Sequence, residues 1–173
     1  MLTLRLLTAE RADLDALQRV FEAAPGYFEA VTGGPVGKAE AQSELTSLPP
    51  GCSHDDKFVW GLYRGDEMIG CADVLRGYPD RPRAVIGLLL LTEHWQRQGL
   101  GRAFARLVEQ TIGGWPEIER FRIGVIFTNP GALAFWRKLG YVETGEVKPG
   151  APDFRGDIIV LEKPLVRATD GAP

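Results

Sequence analysis

A mixed α/β (α+β) fold, with a mostly antiparallel central sheet and flanking helices, is the class this sequence predicts. From residue 58 to residue 91, apolar runs are separated by two turn signals, Arg64-Gly65-Asp66-Glu67 and Gly77-Tyr78-Pro79-Asp80, which reads as three consecutive antiparallel strands. Within the last of them, residues 86–91 do not alternate, so this run is expected near the centre of the sheet with both faces covered. The pattern then switches to a glycine-containing loop and an amphipathic helix, so strands and helices belong to one layered structure.

Element by element, residues 2–7 alternate loosely and read as a first strand ending at Thr8, a good N-cap residue. Leu14, Leu17, Val20 and Phe21 recur at helical spacing until Pro25-Gly26. Between Gly33 and Gly51, glycines and prolines surround a short helical stretch, residues 38–48, whose Ala41, Leu45 and Leu48 form a narrow apolar stripe. A flexible flap on the substrate side is expected there. After the strands at 58–63, 68–75 and 84–91, a helix carries Leu100, Phe104, Leu107, Val108 and Ile112 on one stripe and stops at Gly113-Gly114. Residues 121–127 suit a strand, Asn129-Pro130 gives an N-cap followed by proline at the first helical position, and Gly140 stops that helix. Residues 142–147 and 157–161 are expected as closing strands. Residues 1–167 contain no repeat or linker and read as one domain; residues 168–173 offer nothing to pack and are expected to fray.

Hydrophobic residues make up 45% of the 173 positions and charged residues 25%, the globular average, which excludes disordered and collagen-like classes. Twenty basic against 23 acidic residues give a net charge of −3, which argues against nucleic acid and against an anionic membrane as partners. No apolar run approaches the ~20 residues that span a bilayer, and the first residues do not read as a secretory signal, so a cytoplasmic location is expected. Cys52 and Cys71 fit neither a disulfide framework nor a metal-ligand spacing, and only His54 and His94 could assist, so reduced thiols and no metal are expected.

The segment Gln96-Arg97-Gln98-Gly99-Leu100-Gly101-Arg102 stands where the buried strand gives way to the first turn of a helix. A helix start offers unpaired backbone N–H groups and the positive end of the macrodipole, and glycine removes the Cβ that would hold a phosphate away from them. Arg97 and Arg102 add charge-assisted bonds. The two glycines also suit a plain tight turn. A dinucleotide fingerprint fails because its third glycine would fall at Phe104, and a P-loop fails because no Gly-Lys-Ser/Thr follows.

At this segment the chain resembles the GNAT acyltransferases, whose acetyl-CoA signature is Gln/Arg-x-x-Gly-x-Gly/Ala after the central strand. Gln96-Arg97-Gln98-Gly99-Leu100-Gly101 matches every fixed position. A second family motif, Asn-x-x-Ala followed by an aromatic residue and Gly-Phe, is echoed from Asn129 through Ala132 and Phe135-Trp136 to Gly140-Tyr141. The resemblance covers nearly the whole chain. It implies a GNAT-like mixed sheet in which two strands splay to admit acetyl-CoA as cosubstrate. It also implies pyrophosphate on the backbone of residues 97–102 and pantetheine paired with the strand at Leu89, Leu90 and Leu91. Asn129 would cap its helix, lie near the cofactor arm, or both, and Trp136 would face the thioester. A homodimer through a sheet edge is a further implication of the family.

The resemblance implies acetyl transfer to a primary amine of a small molecule or a peptide. That reaction needs a free amine, a way to stabilise the developing oxyanion and a proton for the departing thiolate. Where the family often has a tyrosine for the last role, this chain has Trp136, whose indole N–H is no practical acid, so that role does not carry over. Tyr141 reads as core. Asp73, a carboxylate in an apolar strand, is a candidate base or substrate anchor, or else a buried structural group. Tyr78 is a candidate acceptor contact or acid, or else turn packing. His94 reads as surface, and His54, Asp55 and Asp56 as the mouth of a groove or a solvated loop. Residues 25–28 and the loop 76–79 bring aromatic and polar groups towards the acceptor's entry, or else Tyr27 and Phe28 cap the first helix. Neither cysteine has a neighbouring His or helix N-terminus to activate it, so direct transfer is favoured over a covalent enzyme intermediate. The alternative reading is a catalytically weak acyl-CoA sensor, motivated by Trp136 and by the lack, within residues 84–91, of the acidic residue that the central strand often supplies in this family.

Overall fold

The apolar runs in the middle of the chain form the strands that position everything else. β1 (Leu2–Leu6), β2 (Lys57–Arg64), β3 (Glu67–Arg76) and β4 (Arg83–Leu91) pair antiparallel in succession. β5 (Arg120–Ile126) joins β4 in parallel, which requires a crossover, supplied by α4 (Leu100–Gly113). β7 (Ile158–Pro164) inserts between β5 and β6 (Val142–Lys148), so the seven-stranded order is β1-β2-β3-β4-β5-β7-β6, with β4 at the centre as expected. The computed structural model describes residues 1–167; the expectation for residues 168–173 lies outside the described residues.

Each face of the sheet carries its own core. On one side α1 (Arg11–Glu22), α2 (Pro25–Thr32) and α3 (Glu40–Thr46) cover Val59, Cys71, Leu88 and Leu90 with Leu17, Val20, Phe21 and Ala41. On the other, α4 sets Phe104, Ala105, Val108 and Ile112 against Leu62, Ile69, Val74 and Ile123, and α5 (Pro130–Lys138) adds Trp136. Of the stripe read from the sequence for α4, Phe104, Val108 and Ile112 are buried together with Ala105, Leu100 and Leu107 are partly buried against the same core, and Gly113-Gly114 ends the helix. Asn129 caps α5 by accepting from the Ala132 N–H at 3.2 Å, and Gly140, at φ +92°, follows its end.

Two readings at the N-terminal end need correction. Thr8 does not cap α1: the helix begins at Arg11 after Glu10, and the Thr8 N–H and hydroxyl both donate to the Asp13 carboxylate, at 2.7 and 2.9 Å. Pro25-Gly26 does follow the end of α1, but Tyr27 and Phe28 do not cap that helix: Pro25-Gly26 forms the first turn of α2, with proline where its missing N–H costs nothing and Gly33 at φ +76° ending the helix. The segment after it is tied to α1 through Gln18, whose Nε2 donates to the Gly37 carbonyl at 2.9 Å and whose Oε1 accepts the Ala41 N–H at 3.1 Å.

Candidate active site

β4 and β5 pair only from Arg83 with Arg120 to Ile86 with Ile123, and beyond that point they part. The other edge of β4 shows how the parting begins. Asp73 of β3 lies opposite Leu88 and Val74 opposite Ile86, so Gly87 is an extra residue, a β-bulge. The bulge switches the side-chain phase: Ala84 and Ile86 enter the α4–α5 core, whereas Leu88 and Leu90 enter the α1–α3 core. The run that failed to alternate in the sequence therefore records a change of phase as well as double burial. Over residues 87–91, β4 has no strand partner on its β5 side, an edge that suits an extended ligand.

A cleft of about 550 Å³ opens at this fork. Leu89, Leu90, Leu91, Gln96, Arg97, Gly99, Gly101, Arg102 and Asn129, nine of the residues singled out above, line it together. Gln98 and Leu100 are not part of the lining. The Gln98 Nε2 instead clasps the turn by donating to the His94 carbonyl at 2.6 Å, and Leu100 packs against the α4–α5 core. Gln96 has a structural duty as well, donating to the Leu91 carbonyl at 2.8 Å.

Gly99 precedes α4 at φ +78° and supplies no side-chain cap, and a Cβ placed there would meet nothing within 4 Å. Arg97 also takes a left-handed backbone, φ 58°, which is uncommon for a residue with a side chain. The first amides of α4 thus remain uncovered at the positive end of the helix. Arg97 and Arg102 are exposed, and neither they nor Lys138, also in the lining, forms an ion pair among the described residues. An uncovered helix start beside unspent cations fits an anion carried on an extended arm.

A second cavity, of about 310 Å³, adjoins it and is lined by Tyr78, Gly87, Gly124, Trp136, Lys148 and Phe154, among others. Tyr27, Leu89 and Asn129 line both spaces and so mark their junction. Tyr27 arrives there because α2 is tied down along its length. The Gly26 N–H donates to Glu93 Oε1 at 2.8 Å, and the Glu93 N–H to the Ala23 carbonyl at 2.9 Å. The Thr128 hydroxyl donates to the Ala30 carbonyl at 2.6 Å, and the Arg155 N–H to the Val31 carbonyl at 2.7 Å. Burial, reinforced by Glu44, holds the Tyr27 phenol well above its ordinary pKa, so it is a neutral O–H donor at physiological pH. Sequence reasoning placed Tyr27 near the acceptor's entry but not at this junction.

Asp73 lies behind the fork and lines neither cavity. Its Oδ1 accepts from Lys57 Nζ at 2.9 Å in a pair that is almost entirely buried, and a Cβ at Gly87 would come within 3.3 Å of its Oδ2. Burial raises its pKa against the pull of Lys57, and the nearby Glu44 is pushed up to about 8 by burial and by Asp73. Tyr78 is half-buried in the second cavity. Trp136 lines that cavity rather than the larger one, edge-on to Tyr141 with ring centroids 4.9 Å apart. Tyr141 is core, its hydroxyl donating to Glu109 Oε1 at 2.9 Å. His54 and His94 are exposed, and Asp56 accepts from Arg76 Nε at 2.9 Å. Both cysteines are free thiols, and burial drives Cys71 well above the usual thiol range, the opposite of activation. Among the described residues, no group of His, Cys, Asp and Glu is arranged to hold a metal ion, and no helix is long and apolar enough to cross a membrane.

A forked mixed sheet with an uncovered, arginine-flanked helix start at the fork is an arrangement that an extended, phosphate-bearing ligand would fit. The chain belongs to the GNAT acetyltransferase family, whose model matches residues 17–141. Among solved structures, it is similar to an acetyltransferase from Thermus thermophilus, with 30% identity, a TM-score of 0.72, and 94% of this chain and 97% of that one covered. It shares its fold with the spermidine N-acetyltransferase from Vibrio cholerae in complex with CoA and spermine, at 17% identity, TM-score 0.71 and 95% coverage of both chains. The ribosomal-protein-S18-alanine N-acetyltransferase from Escherichia coli also shares the fold, at 19% identity, TM-score 0.68, and 100% and 99% coverage. No curated protein sequence matches the chain.

Proposed function

We propose that this protein transfers the acetyl group of acetyl-CoA directly to a primary amine. The observation that carries the reading is the junction itself: a cleft with an anion cradle at one end meets a second cavity at Tyr27, Leu89 and Asn129, at the mouth of the strand fork. Residues 97–102 and the α4 amides hold the diphosphate, and the free edge of β4 at Leu89, Leu90 and Leu91 aligns the pantetheine arm. Acetyl-CoA supplies the activated acyl carbon.

The acceptor enters through the second cavity, where Tyr78 is placed to contact it. Its nitrogen forms the amide bond as the carbon–sulfur bond breaks, and the proton of the amine passes to water, because no carboxylate among the described residues lines this cavity. Tyr27, a neutral donor at the junction, stabilises negative charge developing on the carbonyl oxygen or the departing sulfur. Its raised pKa suits a hydrogen-bond donor rather than a group that gives up its proton outright. Asp73 is assigned a positioning role: paired with Lys57, it backs the Gly87 bulge that opens the fork.

Acetyl-CoA-dependent release of coenzyme A in the presence of amines, with a matching N-acetyl product, tests the reading. Saturable binding without transfer to any amine would favour the sensor alternative. Tyr27→Phe is expected to lower kcat about 10²-fold, the scale of losing one preorganised donor to an oxyanion. Coenzyme A affinity should stay within about twofold, because the hydroxyl belongs to the junction and not to the anion cradle. An unchanged kcat would remove Tyr27 from the chemistry.

A further inference from the structure

The second cavity carries a charge pattern that bears on which amines can enter it. Among the described residues, its charged lining residues are Arg122 and Lys148, with no carboxylate. Arg122 rises from β5 next to the fork, its side chain 8% exposed. Its Nη1 donates to Glu162 Oε1 at 2.9 Å and its Nη2 to Glu146 Oε2 at 2.5 Å. Those carboxylates are shared widely. Glu162 also accepts from Arg83 at 2.8 Å and from Arg120 at 3.1 Å, and Glu146 lies 3.6 Å from Lys148 Nζ. Arg83 is paired in addition with Asp80. Four cations, Arg83, Arg120, Arg122 and Lys148, therefore share three carboxylates, Asp80, Glu146 and Glu162, and the network keeps one positive charge beside the cavity.

Although burial alone would raise it, hydrogen bonds from Arg83 and Arg122 hold Glu162 below the ordinary glutamate range. The hydrogen bond from Arg122 does the same for Glu146. Both carboxylates are thus ionised and already hydrogen-bonded to these cations, outside the cavity lining. A polycationic acceptor would meet Arg122 and Lys148 and be repelled, whereas an acceptor carrying its own carboxylate would complete the network. The rest of the lining is largely apolar, including Val31, Val85, Ile126, Phe154 and Ile158, and the volume, about 310 Å³, lies at the small end of ligand pockets.

We infer that the acceptor is a small amine that bears a carboxylate, of the amino-acid type with an apolar side chain, and that Arg122 and Lys148 form its carboxylate subsite. The inference rests on the proposed acetyl transfer and adds the class of acceptor.

The test compares initial rates of coenzyme A release for matched acceptors: leucine against 3-methylbutylamine and leucine methyl ester, phenylalanine against phenethylamine, and spermidine as a polycation. Acetyl-CoA binding is measured in parallel. The expected result is a kcat/KM at least about tenfold higher for each free acid than for its uncharged-end partner, the scale of one charge-assisted contact. Lys148 is partly exposed and tolerates truncation, so Lys148→Ala should shrink this preference about fivefold, through KM, with acetyl-CoA binding retained. Equal or better turnover of the decarboxylated amines, the ester or spermidine, with acetyl-CoA binding intact, overturns the carboxylate subsite and leaves the transferase reading standing. Loss of acetyl-CoA binding altogether would instead overturn the transferase reading, and the subsite with it.

Discussion

Replacing Arg97 and Arg102 together by glutamate is expected to raise the Kd for coenzyme A about 10²-fold. Each arginine is exposed, flanks the uncovered start of α4 and forms no ion pair among the described residues, so its charge is available to a phosphate. A hydrogen bond to a charged group contributes about 1.5 kcal/mol at the low end of its range, and two of them make roughly 3 kcal/mol, or two decades in affinity. Reversal adds repulsion, and salt screening subtracts from both effects. The wild-type affinity should accordingly fall as salt is raised, and the double variant should lose most of that dependence. Thermal stability without ligand should hardly move, since neither side chain has a partner to lose. Isothermal titration at two salt concentrations checks the affinity and its salt dependence, and thermal unfolding of the free variant checks the third statement. An unchanged Kd would mean that the backbone amides alone hold the phosphates.

Asp73→Ala is expected to destabilise the fold by about 3 kcal/mol, the consequence of leaving Lys57 buried without its partner. For a chain of this length that corresponds to a fall in Tm of roughly 6–12 °C. The Lys57 side chain is only 5% exposed, so it cannot recover the loss by turning to water. Asp73→Asn, which keeps the shape and an acceptor oxygen, should lose less stability and retain kcat within about tenfold, as befits a positioning residue. If Asp73 were the general base instead, Asp73→Asn would lower kcat by about 10²–10⁴-fold at nearly unchanged Tm. Thermal unfolding and steady-state kinetics on the two variants separate these accounts.

The parts of the fold that were legible in the sequence are those whose signals are local. Gly113-Gly114, Asn129-Pro130 and Gly140 mark the ends of α4 and α5 because each meets a backbone requirement at its own position. The glycine loop was legible for the same reason, since an uncovered helix start depends on the residues that compose it. Pro25-Gly26 was legible as the end of α1 but not as the first turn of α2, because the dipeptide suits either role. The second helix is held by ties between distant segments, among them the bond from Gly26 to Glu93, sixty-seven residues away. Tyr27 at the junction follows from that tertiary tie and has no signature of its own. The insertion of β7 between β5 and β6 likewise depends on pairing between distant segments. Trp136 lies at the motif position where the sequence put it, but its ring lines the smaller cavity, because α5 packs it against Tyr141.

The central claim, that the fork and the start of α4 form a coenzyme A site, is tested most directly by thermal unfolding with acetyl-CoA, coenzyme A, ATP and NAD added separately. At 100 times its Kd a ligand stabilises the native state by about 2.7 kcal/mol, which for this chain is a rise in Tm of roughly 5–10 °C. Acetyl-CoA and coenzyme A are predicted to produce that rise and ATP and NAD are not. No rise with either thioester or thiol, or an equal rise with all four, would contradict the claim.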